Sequence, residues 1–214
     1  MARAVGATAK KLAATDPTMA ALVERIGRID LSERLRRRSE ERPADAYGAL
    51  LRAIVGQQLS TKAARTIYLR VTGLFGGQTP APEQLLEASV EDLRGAGLSG
   101  RKVEYIRDLA AHVISGELEL ERLDDLSDEE AIAELVAVRG LGQWTAEMFL
   151  IFHLERPDVL SGGDLGIRKA IQVEYGLEEM PTPQRVVEIG ERWSPYRSLA
   201  SLYLWESLAA VPGG

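Results

Sequence analysis

The sequence contains no cysteine. Disulfides, thiolate zinc sites and iron–sulfur clusters are therefore excluded. Its two histidines, His112 and His153, are too few for a histidine-rich metal site, and each reads as a surface or half-buried residue. No apolar run reaches the roughly 18–20 residues that a membrane-spanning helix needs. The first residues, MARAVGATAKKLAATDP, hold basic side chains and alanines but no apolar stretch of signal-peptide length, so a cytoplasmic protein is expected. Alternating β-branched residues are scarce, which argues against sheets. Aromatics are few, at 6% with three tryptophans, so each tryptophan has to be accounted for.

Positive charge is in deficit, with 26 basic against 32 acidic residues and a formal net charge of −6. The placement of charge changes that reading. Residues 117 to 134 (ELELERLDDLSDEEAIAE) carry nine acids and one arginine, or −8. Without them the chain holds 25 basic and 23 acidic residues, or +2. Residues 1 to 42 hold ten basic and six acidic residues, among them Arg36, Arg37 and Arg38. One acidic, solvated face can coexist with a neutral or basic binding surface, so net charge does not exclude a polyanionic partner.

What is present is leucine and alanine at helical spacing. Asp16-Pro17 opens a helix over Thr18–Ile29, Asp45 caps one running to about Gly56, and Ser60 or Thr61 caps the next after the interruption GQQLS. Further helices are expected near 82–87, 90–94, after the turn LRGAGLSGRK, over 128–137 and 143–154, from Asp164 to about Tyr175, from near Thr182, and through the tail SPYRSLASLYLWESL. About ten helices with short turns and no long repeat or low-complexity linker imply an all-α fold.

The stretch VRGLGQWTAE, residues 138 to 147, raises a sharper question. Gly140 and Gly142 flank one leucine between two helices, and both are free to take positive φ. One reading is an ordinary tight helix hairpin. The other is a phosphate clamp, in which the amides of Gly140, Leu141 and Gly142 and the hydroxyl of Thr145 sit at a helix N-terminus that favours an anion. A backbone clamp needs no lysine and so suits an acidic protein.

The stretch resembles the helix-hairpin-helix pattern L-P-G-[VI]-G-x-x-T-A, and the sequence GGDLGIRKA follows it at 162 to 170. Together they resemble the helix-hairpin-helix superfamily of DNA glycosylases. AIVGQQLSTKAA and WSPYRSLASLYLW are similar to its alkylbase branch, the 3-methyladenine DNA glycosylase II family. The resemblance covers residues 42 to 206 and departs at Arg139, where the pattern has proline. It implies a two-lobed all-α fold with the active-site cleft between lobes. Residues 1–41 would be an N-terminal arm packing on a core of 42–214 that contains the hairpin at about 134–155.

The resemblance assigns roles residue by residue. Asp164, also a natural helix N-cap, matches the catalytic aspartate. A fixed carboxylate stabilises positive charge developing on a sugar and orients or deprotonates water. Trp144 stands where relatives that also nick DNA carry a Schiff-base lysine; tryptophan has no amine, which points to a monofunctional enzyme. Trp205 matches a pocket tryptophan, and a cationic alkylated base stacking on indole gains about 0.5–2 kcal/mol. Tyr47 and Tyr196 are further pocket candidates, whereas Trp193 and Tyr203 read as core. Base extraction needs a wedge, and Gln58 or Leu59 falls at that place. Thr61, Lys62, Gly97, Arg101 and Lys102 are candidates for DNA phosphate. Some members of the family hold Na+ or K+ on hairpin carbonyls, here those of Val136, Val138 and Leu141; no other cofactor is required. The implied partner is double-stranded DNA carrying alkylated bases, the implied state a monomer, and the implied location cytoplasmic, associated with the nucleoid in a bacterium. Two alternatives remain: a non-catalytic helix-hairpin-helix DNA-binding module, and a glycosylase for another lesion.

Overall fold

The helix starts expected from capping side chains are where the chain folds. In a computed structural model, which describes residues 6–29 and 45–209, Asp16 accepts the N–H groups of Thr18 and Met19 and opens a helix at Pro17. Asp45, Ser60, Ser99, Thr182 and Asp164 each accept a first-turn N–H in the same manner. Each cap satisfies a donor that the helix cannot satisfy itself, worth about 1 kcal/mol. Between Ser60 and Thr61, the serine is the cap.

The described residues form twelve α-helices and no strand. They are α1 (Ala7–Ala13), α2 (Pro17–Ile26), α3 (Ala46–Gly56), α4 (Thr61–Gly73), α5 (Pro82–Glu87), α6 (Val90–Gly95), α7 (Gly100–Ser115), α8 (Asp128–Ala137), α9 (Gln143–Phe152), α10 (Leu165–Glu174), α11 (Pro183–Gly190) and α12 (Arg197–Ala209). Short 3-10 turns at Leu120–Asp124 and Glu191–Trp193 precede α8 and α12. No described helix is long and apolar enough to cross a membrane.

The helices gather into two units. One combines 1–37 with 150–214, the other is 38–149. In the first, α10 and α12 pack on each other, and α2 packs on α12. Leu12, Met19, Leu22, Ile167, Ile171, Trp193 and Tyr203 fill its core, so Trp193 and Tyr203 are the core residues their spacing indicates. The Tyr203 hydroxyl donates to the Gly27 carbonyl at 2.9 Å and ties the end of α2 to α12. In the second unit, α3 packs on α4 and α7, and α5 on α7. Leu50, Leu51, Ile54, Leu85, Leu93, Ile106 and Leu109 are buried there. Arg36, Arg37, Arg38 and the expected boundary at 41/42 lie outside the described residues.

Candidate active site

Asp164 caps α10 in the first unit. Its Oδ1 accepts the Ile167 N–H at 2.8 Å and the Trp205 indole N–H at 2.9 Å, and the residue is 9% exposed. The carboxylate is thus held by the backbone of its own helix and by a side chain of α12. Phe152, at the end of α9, stacks on Trp205 with centroids 5.8 Å apart. Gly166 leaves the room for this grip: a Cβ there would lie 3.1 Å from Asp164 Oδ1 and 3.1 Å from Trp205 Cδ1. Leu165, next to the aspartate, is 66% exposed.

The loop delivering Asp164 is pinned from α12. The Ser198 hydroxyl donates to the Arg156 carbonyl at 2.6 Å and accepts the Val159 N–H at 3.0 Å. Arg197 grips Asp158 with two bonds of 2.9 Å, and the Ser194 hydroxyl adds one of 2.7 Å. Burial pushes the Asp158 carboxyl pKa up, but these bonds outweigh it and hold it below the usual carboxylate range. Gly162 and Gly163 differ in purpose. A Cβ on Gly162 would lie 2.8 Å from the Pro183 carbonyl, so it admits α11, whereas Gly163 has nothing within 4 Å.

In the second unit the hairpin takes its shape from one glycine. Gly140 has φ 88°, and a Cβ there would overlap the Tyr105 ring. Gly142 is not at positive φ, contrary to expectation; it precedes α9, where a Cβ would meet nothing within 4 Å. The Leu141 N–H is committed to the Val138 carbonyl at 3.1 Å, and its side chain is buried, so its amide is not the phosphate donor expected of it. The turn leads into the N-terminus of α9, the end of a helix whose dipole favours an anion. Thr145, in that turn, is buried. Trp144 projects from it 51% exposed, so it is no core residue.

The second glycine turn is a helix terminator. Leu98 N–H donates to the Leu93 carbonyl and Gly97 N–H to the Arg94 carbonyl, as in a Schellman motif with Gly97 at φ 109°. The Gly97 amide is therefore not available for phosphate. Lys102 is also redirected. Its Nζ donates to the carbonyls of Val55 (2.7 Å) and Gln57 (2.8 Å), closing the C-terminus of α3, and burial lowers its pKa. Thr61, Lys62 and Arg101 are exposed.

Next to that grip the chain presents its candidate wedge. Gln58 is exposed at φ 57°, one of two described non-glycine residues with positive φ, and Leu59 beside it is exposed as well. Its neighbour Gln57 donates from Nε2 to the Gly140 carbonyl at 2.7 Å, tying this loop to the hairpin turn. Tyr47, expected at the base, is buried at 8% in this unit with no protein partner for its hydroxyl. Burial pushes its pKa far up, helped by Glu83 and Asp45. Tyr196 is half-buried against the core of the first unit. Surface depressions lined by Val90, Arg94 and Leu98, and by Lys62, Thr66 and Arg70, include neither Asp164 nor Trp205.

Sequence reasoning did not find Phe152, Gly166, Gln57 or the second hold on Asp164. A signal existed for Gly166, since glycine in a first helical turn is costly unless something must come close. None existed for the others, which depend on partners distant in sequence.

An all-α chain with this hairpin and a helix-capping aspartate after it is of the helix-hairpin-helix glycosylase class. The profile of HhH-GPD superfamily base excision DNA repair proteins matches residues 51–195, and the chain belongs to that superfamily, in its alkylbase branch. It is 38% identical over 165 residues to DNA-3-methyladenine glycosylase 1 of Schizosaccharomyces pombe, covering 76% of this chain and 72% of that one. It is similar to the crystal structure of a DNA-3-methyladenine glycosidase from Bacillus halodurans, with TM-score 0.84 and 39% identity over 96% of this chain and 90% of the other. The S. pombe 3-methyladenine DNA glycosylase in complex with abasic DNA gives TM-score 0.80 and 32% identity, covering 98% of this chain and all of that one.

Proposed function

We propose that this protein is a monofunctional DNA glycosylase that hydrolyses the N-glycosidic bond of alkylated bases in duplex DNA and leaves an abasic site. The observation that carries the reading is the doubly held Asp164 carboxylate, capped by Ile167 N–H and Trp205 Nε1–H. In the reaction the C1′–N bond breaks with its electron pair going to the base. A base methylated on a ring nitrogen is cationic and departs neutral. Positive charge develops on the sugar, and a preorganised carboxylate stabilises it at no reorganisation cost. Water adds its oxygen to C1′, and Asp164 orients it and takes its proton.

The other roles follow from what each side chain offers. Trp205, backed by Phe152, presents an indole face to a cationic base. Gln58 fills the gap left by the extracted nucleotide and hydrogen-bonds the orphaned base. The first turn of α9, with exposed Lys62, Thr61 and Arg101, binds phosphate. A structural Na+ or K+ would rest on the carbonyls of Val136, Val138 and Leu141. The Val138 carbonyl already accepts one N–H, and its second lone pair keeps it compatible. The enzyme acts as a monomer in the cytoplasm, on the nucleoid in a bacterium.

The absence of an amine at Trp144 supports hydrolysis without strand cleavage. Methylated duplex treated with the enzyme is expected to yield free methylpurines and to break only after alkali. Breaks without alkali would overturn the monofunctional part of the reading.

A further inference from the structure

The turn after α8 carries an arginine where its geometry favours proline. Val138 is extended, with φ −75° and ψ 127°. Gly140 has φ 88°, Arg139 is not at positive φ, and the Leu141 N–H closes the turn on the Val138 carbonyl. This is a type II pattern with Arg139 at the second position. Proline is preferred there because its ring presets φ and because that N–H has no acceptor within the turn. An extended residue in front, as Val138 is, is what proline itself imposes. Arginine brings an N–H that must be satisfied and a φ that must be held by other means.

Both come from α7. Asp108 Oδ2 accepts the Arg139 N–H at 2.8 Å. One turn earlier Glu104 lies 3.4 Å from the Arg139 guanidinium, and one turn later His112 Nδ1 lies 3.4 Å from Asp108 Oδ2. The Arg139–Glu104 pair is mostly exposed and contributes little. The charge-assisted bond from Asp108 to the backbone is the stronger hold. It has an electrostatic cost, since two carboxylates stand beside a turn that would receive phosphate. That cost is offset if the carboxylate fixes the turn.

We infer that Asp108 is a positioning residue for the hairpin. It holds the type II turn that proline would otherwise enforce, and so sets the amides of α9 toward DNA. This rests on the DNA-binding reading above. The test is a double-mutant cycle of the parent, Asp108→Ala, Arg139→Pro and the double variant. Binding to a duplex with an abasic-site analogue is measured by anisotropy, and unfolding by heat. Asp108→Ala should weaken binding about tenfold, the size of one charge-assisted bond. The loss should fall on KM more than on kcat. In the Arg139→Pro background the same substitution should cost nothing, because the N–H it served is gone. Asp108→Asn, which keeps an acceptor without the charge, should bind more tightly than Asp108→Ala. Equal losses from Asp108→Ala in both backgrounds, or an Asp108→Asn variant as weak as Asp108→Ala, would overturn the inference. A parent that does not bind DNA would overturn the functional reading instead. The unfolding cycle needs no DNA, and Asp108→Ala must lower Tm only beside Arg139.

Discussion

At the scale of single residues, the site depends on how one carboxylate is held. Asp164 Oδ1 has two N–H donors, one from its own helix and one from Trp205. Replacing Trp205 with Phe keeps an aromatic face and removes the indole donor. Single-turnover base release should slow about tenfold, with kcat falling more than KM rises, as expected from losing one hydrogen bond to a charged group. A loss confined to KM would mean that Trp205 serves only to stack. Gln58 offers a test of opposite signs. Its φ of 57° is a conformation that glycine adopts freely. Gln58→Gly should raise Tm while lowering base release, because the strain is relieved and the side chain proposed as the wedge is lost. Base release that is unchanged or faster would separate Gln58 from the function. Asp164 and its capping role were legible in the sequence because an aspartate before an apolar run is a local pattern. Trp205 was legible only as an aromatic surface. Its bond to Asp164 spans 41 positions, and no local pattern encodes it.

At the scale of elements, most helix starts could be read from their caps, and their ends lie within a few residues of expectation. The turns between them were less legible. Two Gly-x-Gly sequences look alike, yet Gly140 closes a hairpin and Gly97 terminates a helix by a Schellman motif. In each only one glycine takes positive φ, and the difference is set by which carbonyl captures the next amide. Lys102 looked like a phosphate ligand because exposure cannot be read from charge. Its ammonium instead closes α3 and steadies the turn that presents Gln58. The loop leading to Asp164 depends on Asp158 and Arg197 in the same way. With the Asp158 pKa held below its ordinary 3.8, the pair contributes its full stability above that pH. The contribution is lost as pH falls through the lowered folded value. Arg197→Met should therefore lower Tm by about 5 °C at neutral pH, and the gap to the parent should close below pH 3.8. A gap unchanged in acid would show that Arg197 acts by packing alone.

At the scale of the whole molecule, a net acidic charge is compatible with a DNA enzyme because charge is unevenly placed. The segment 117–134 carries −8, and its apolar Leu118, Leu123 and Ala131 are buried beneath an acidic exterior. The rest of the chain sums to +2. The all-α class and the superfamily were legible from helix-hairpin-helix and GGD together, since both are contiguous patterns whose spacing the fold preserves. The measurement that bears most directly on the account is release of 3-methyladenine and 7-methylguanine from methylated duplex by the parent and by Asp164→Asn. Asparagine caps a helix as well as aspartate does, so the fold and DNA binding should persist. The account predicts that the parent releases methylpurines and that Asp164→Asn binds the same DNA but releases them at least about 100-fold more slowly. Equal release by both proteins, or no release by the parent under conditions where it binds, would contradict it; the second result would leave a helix-hairpin-helix module that binds DNA without cutting the bond.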